Sequence, residues 1–132
     1  VYMVEIIPPI IMGVIAGGVD LGFMIKDLSG DAKTTIAHGV GAMIPLIGLS
    51  FIAFNIEIAT NSGYLPSFFQ NQIAVLIILA LIAAAIVHGK SAVFAKSRGP
   101  GTHETWIHSI IVGVIVAASP LIWPFIEGYL PF

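Results

Sequence analysis

All five basic side chains of this 132-residue chain, Lys26, Lys33, Lys90, Lys96 and Arg98, fall in two short stretches flanked by long apolar runs. The segment 57–72 and both ends of the chain carry none. Cytoplasmic loops of polytopic membrane proteins collect Lys and Arg because positive charge is poorly translocated. Basic residues confined to alternate connections therefore predict a class, a number of spans and an orientation. The expectation is four transmembrane helices, both termini outside, and both basic loops in the cytoplasm of a cell whose plasma membrane holds the chain.

Composition agrees with that class. Only 9% of residues are charged and 58% are hydrophobic, whereas a soluble domain carries about 25% charged residues. The net charge of −2 is too small to argue about partners, but the lack of a basic patch speaks against a nucleic-acid binder. With no cysteine, disulfide frameworks, thiolate metal sites and thiol nucleophiles drop out together. The runs do not alternate apolar and polar, as the roughly ten-residue strands of a membrane β-barrel must. The fold class expected is all-α, a single transmembrane domain over 1–132 built as a small bundle of two hairpins.

The predicted spans are 6–25, 34–56, 73–94 and 105–126. About 20 residues rising 1.5 Å each cross about 30 Å of hydrocarbon. Pro8 and Pro9 fall in the first turn of the first span, where a missing N–H costs nothing. The run has no basic leader and no small-residue cleavage site, and reads as a retained span. Pro45 interrupts the second span and demands accommodation by neighbouring helices. The outer loop 57–72 contains Tyr64, Phe68 and Phe69, aromatics expected at headgroup depth. A weak repeat, Thr35-Ile36-Ala37-His38-Gly39 against Thr105-Trp106-Ile107-His108-Ser109, opens the second and fourth spans, as a parallel duplication of the hairpin would.

Small residues recur one turn apart. Gly13 with Gly17 and Gly18 with Gly22 lie on the first span, Ala80 with Ala84 on the third, Gly113 with Ala117 on the fourth. Such spacing lets helix backbones approach closely where lipid supplies no hydrophobic drive. The four glycines of the first span are the strongest helix-packing candidates, since glycine weakens a helix that makes no use of it.

Chemistry, if any, rests on few residues. Asp20 lies about one and a half turns from the inner end of its predicted span. An ionisable group at that depth marks a pathway, a ligand or a partner, unless the span tilts and Asp20 reaches the inner interface to meet Lys26 or Lys90. His38, His88, His103 and His108 all belong to the inner side. His38, His88, His108 and Asp20 would give each helix one imidazole or carboxylate at similar depth, a candidate set for one metal ion, or for one haem held by His38 and His108. The competing reading leaves the histidines bonded to headgroups, water or backbone. His103 and His108 stand five apart, about 140° around a helix, and so are not the paired ligands of a metalloprotease helix.

Three functions remain open. The first is an accessory subunit of a larger membrane complex, partnered by other transmembrane subunits and by bound lipid. Its general form is that of small four-span subunits of respiratory complexes or of ammonia- and methane-oxidising membrane monooxygenases, a likeness of class carried by no particular residue. The second is a histidine-based metal or haem redox protein. The third is a small dimeric proton-coupled transporter using Asp20. Small multidrug exporters also carry four spans and an embedded acid in the first, although here the acid is an Asp near the inner end and aromatics are sparse within the spans.

Overall fold

The computed structural model describes residues 3–28, 32–96 and 105–131, and the side chains of all of these except residues 27, 28, 32, 34, 38 and 94–96. Among them the chain is helical, without strands. Four long helices, α1 (Ile7–Leu28), α2 (Ala32–Phe54), α4 (Gln72–Lys96) and α5 (Trp106–Ile126), are joined across the outer loop by the short α3 (Ile56–Asn61) and a 3-10 turn, Ser67–Gln70. Each long helix contains a stretch long and apolar enough to cross a membrane: Ile7–Lys26, Thr35–Phe54, Gln72–Val93, and Trp106–Tyr129, which runs past α5.

Helices adjacent in sequence pack most closely, α1 on α2 and α4 on α5. The two hairpins then meet through α1–α5, α2–α5 and α2–α4, with α1 and α4 barely touching. The cross-section is thus a rhombus whose short diagonal joins α2 to α5.

Glycine sets the closest approaches. A Cβ at Gly13 would overlap the Ile47 backbone of α2, and one at Gly17 would overlap Met43. Leu21 of α1 fills the space above Gly39 of α2 in return. In the other hairpin Gly113 lies against the carbonyl oxygen of Ala80, beside Ala84. Among the described residues nothing comes within contact of a Cβ at Gly18 or Gly22; both lie on the bundle exterior.

Unlike a soluble bundle, this one is apolar outside as well as inside, and it buries several polar groups. The centre combines Ala16, Leu46, Ala83, Val87, Val112 and Val116 with buried Asp20, Ser50, Ser91, Ser109 and Ser119. The outside is apolar along mid-helix, with Ile44 74% exposed and Leu81 63% exposed.

The second predicted span runs on to residue 56, whereas α2 stops at Phe54 and α3 begins at Ile56. Asn55 accounts for the break. Its Oδ1 accepts from the Glu5 backbone N–H at 2.8 Å, and its Nδ2 donates to the carbonyls of Glu5 and Phe51, each at 2.9 Å. The side chain thereby ties the segment before α1 to the end of α2. The outer-loop aromatics also divide. Tyr64 and Phe68 are exposed, but Phe69 packs on the cluster of Ala53, Ile56, Val75 and Leu79, because a 3-10 turn sends successive side chains in different directions.

Pro45 is accommodated by α4. A proline has no N–H to give the carbonyl four residues earlier, which here belongs to Gly41. Lys90 Nζ donates to that Gly41 oxygen at 2.7 Å, so the α4 lysine takes the place of the missing donor. The lysine is exposed, which limits the bond to about 1 kcal/mol. Lys90→Met is expected to destabilise the bundle in detergent by that amount, read as a lower thermal midpoint. In a Pro45→Ala background, where residue 45 regains its N–H, the effect of Lys90→Met should shrink towards zero. Equal losses in both backgrounds would show that the bond is not tied to the proline.

Candidate functional site

The polar interior at the basic end of the bundle is where the sequence candidates converge. On α1, Gly13, Gly17, Asp20 and Met24 follow one inward stripe at three- and four-residue spacing, the geometry that places side chains on a common helical face. Asp20 is 1% exposed. The turn that carries it is held on both sides, by Leu21 against Gly39 of α2 and by Phe23 against α5. Phe23 and His108 lie parallel, ring centroids 4.1 Å apart and planes 2° from coplanar.

A second aromatic–imidazole pair joins α4 to α5. His88 stacks on Trp106 at 3.8 Å with planes 14° apart, and its Nδ1 lies 3.5 Å from Ser109 Oγ, a long contact. The first turn of α5 therefore orders both histidines, His108 against α1 and His88 from α4. Face-on stacking fixes each ring plane and leaves the ring nitrogens at the edge. Thr35 and Ser91, 2% and 1% exposed, add buried hydroxyls at the same end, and they and Asp20 all have interaction partners.

The histidine side of the metal set is only partly visible. The side chain of His38, and His103 with Glu104, lie outside the described residues. Among the described residues no three His, Asp or Glu side chains gather around a metal-sized point. What the arrangement provides is a sealed carboxylate, a few hydroxyls and two oriented imidazoles inside an otherwise apolar bundle.

Some of this was within reach of the sequence. Asp20 shares the stripe of Gly13 and Gly17, and Ser109, Val112, Val116 and Ser119 form the inward face of α5 at helical spacing. The role of Lys90 was half visible, since Pro45 shows that Gly41 needs a donor but not which residue supplies it. Comparison with known proteins returns no matching family model, no matching curated protein and no matching solved structure.

Proposed function

We propose that this chain is an integral membrane protein of four spans that serves as a small, non-catalytic subunit of a larger transmembrane assembly, of the respiratory or membrane monooxygenase kind. The apolar exterior and the polar groups buried inside support insertion, because lipid makes no demand for polar groups outside while buried polar groups gain by pairing inside. The basic ends of α1, α2 and α4 face the cytoplasm of a plasma membrane, and both termini lie outside.

One observation carries the subunit reading. α1 uses the glycine pair Gly13 and Gly17 to seat α2 and keeps Gly18 and Gly22 on the open exterior. A glycine costs a helix interior about 1 kcal/mol relative to alanine, and an outward small-residue face is where a further transmembrane helix can pack closely. Capture of the chain from gently solubilised native membranes should bring larger transmembrane partners with it. Gly18→Leu should lose those partners without lowering the thermal stability of the isolated chain. Recovery of the wild-type chain alone, as a monodisperse homo-oligomer, would contradict the reading.

A second reading is favoured by the sealed position of Asp20, a carboxylate 1% exposed in the bundle. Here Asp20 is the proton or cation site of a small dimeric transporter. Asp20→Asn should then abolish coupled flux in proteoliposomes, and unchanged flux would remove Asp20 from any transport mechanism.

A further inference from the structure

We propose that the cleft between α2 and α4 at the basic end of the bundle binds the phosphate headgroup of an anionic phospholipid, with Lys90 as its inner cation and Lys33 as its outer one. The cleft is lined by Ala37, Gly41, Gly89, Lys90 and Val93. Its walls are small or apolar, and among the described residues the Lys90 ammonium is the charged group in the lining. The bond from Lys90 Nζ to Gly41 O at 2.7 Å holds that ammonium in place. A lysine ammonium has three donors; one is used on Gly41 and two remain for an anion.

Lys33 is exposed and precedes Ala37 by four residues and Gly41 by eight, so it stands on the same face of α2, one turn nearer the basic end. Apolar surface continues the cleft in the opposite direction. Val40 and Ile44 of α2 and Ile82 of α4 are exposed beyond it. A headgroup held between the two lysines would lay its acyl chains along those residues, a contact that free phosphate does not make. The occupant is therefore a lipid. Basic residues beside an anionic membrane surface contribute about 1 kcal/mol each, about fivefold in affinity.

The site rests on the proposed membrane insertion, and the two are tested separately in the full-length chain. Resistance of the membrane-bound chain to alkaline carbonate reports insertion. Retention of phosphatidylglycerol against phosphatidylcholine of equal chain length, read by native mass spectrometry of the purified chain, reports the site. Wild type should retain phosphatidylglycerol preferentially. Lys33→Gln should weaken this by about fivefold and Lys90→Gln by at least as much, the glutamine amide still offering a donor to Gly41. Lys90→Arg should preserve retention, Lys26→Gln should leave it unchanged, and millimolar inorganic phosphate should not displace the lipid. If Lys90→Gln fails to fold, Lys33→Gln decides alone. Equal retention of the two lipids, equal losses in Lys26→Gln and Lys33→Gln, or displacement by inorganic phosphate would each overturn the site while leaving insertion intact. Extraction of the wild-type chain by carbonate would overturn both.

Discussion

Gly113→Leu is expected to separate α4 from α5 and to destabilise the isolated bundle by about 3 kcal/mol, the upper range for overpacking a well-filled core. The reason is that the obstacle is backbone. The first added carbon would fall on the Ala80 carbonyl oxygen and close to the Ala84 nitrogen, atoms that move only if the whole helix moves. Gly113→Ala isolates the effect. Alanine is favoured over glycine in a helix by about 1 kcal/mol, so a purely local account predicts stabilisation. The packing predicts loss, because displacing α4 outweighs that gain. Gly18→Ala supplies the opposite sign, since none of the described residues lies within reach of its Cβ and the propensity gain should appear. Thermal midpoints in one detergent compare the three variants. A stabilised Gly113→Ala would mean that α4 and α5 do not meet there.

Leu81→Arg is the second large effect, and it separates a lipid-facing exterior from a wet one. Leu81 lies near the middle of α4 and is 63% exposed on the bundle surface. In water, arginine on an exposed helix face is close to neutral. In hydrocarbon, a charge at the centre of a span costs about 2.5–3.5 kcal/mol on insertion scales, roughly a hundredfold in the inserted fraction. The membrane-integrated amount of Leu81→Arg should fall accordingly, with Leu81→Phe as a size control that inserts normally. Equal yields of folded Leu81→Arg and wild type would argue against lipid around α4.

Helix number, type and approximate bounds were legible because they rest on run length, and a run of about 20 apolar residues has few alternatives. Pro8 and Pro9 marked the start of α1, which begins at Ile7. The features that escaped depend on residues distant in sequence. The stop at Phe54 comes from Asn55 bonding Glu5, fifty residues earlier. Phe68 and Phe69 look alike in sequence and part only when the 3-10 turn sends one inward. The choice of Gly13 and Gly17 over Gly18 and Gly22 as the inner pair is signalled in the sequence only by Asp20, which shares their stripe. Asp20 stands out in the sequence as an ionisable residue within an apolar run, but its sealed position depends on packing by Phe23, Leu21 and their partners on α5 and α2. Of the histidines, the stacks on Phe23 and Trp106 were invisible to spacing, since each joins two helices.

The chain has no cysteine, so single introduced cysteines test its placement in lipid without a background. Ile44→Cys and Leu81→Cys put a thiol at positions that are 74% and 63% exposed on the bundle itself. In native membranes a water-soluble maleimide should leave both unmodified, label Ser62→Cys from outside, and reach Lys33→Cys and Lys96→Cys only after the membrane is opened. Modification of Ile44→Cys and Leu81→Cys as fast as Ser62→Cys, or labelling of Lys33→Cys and Lys96→Cys from opposite faces, would contradict a lipid-embedded bundle with its basic connections on one side.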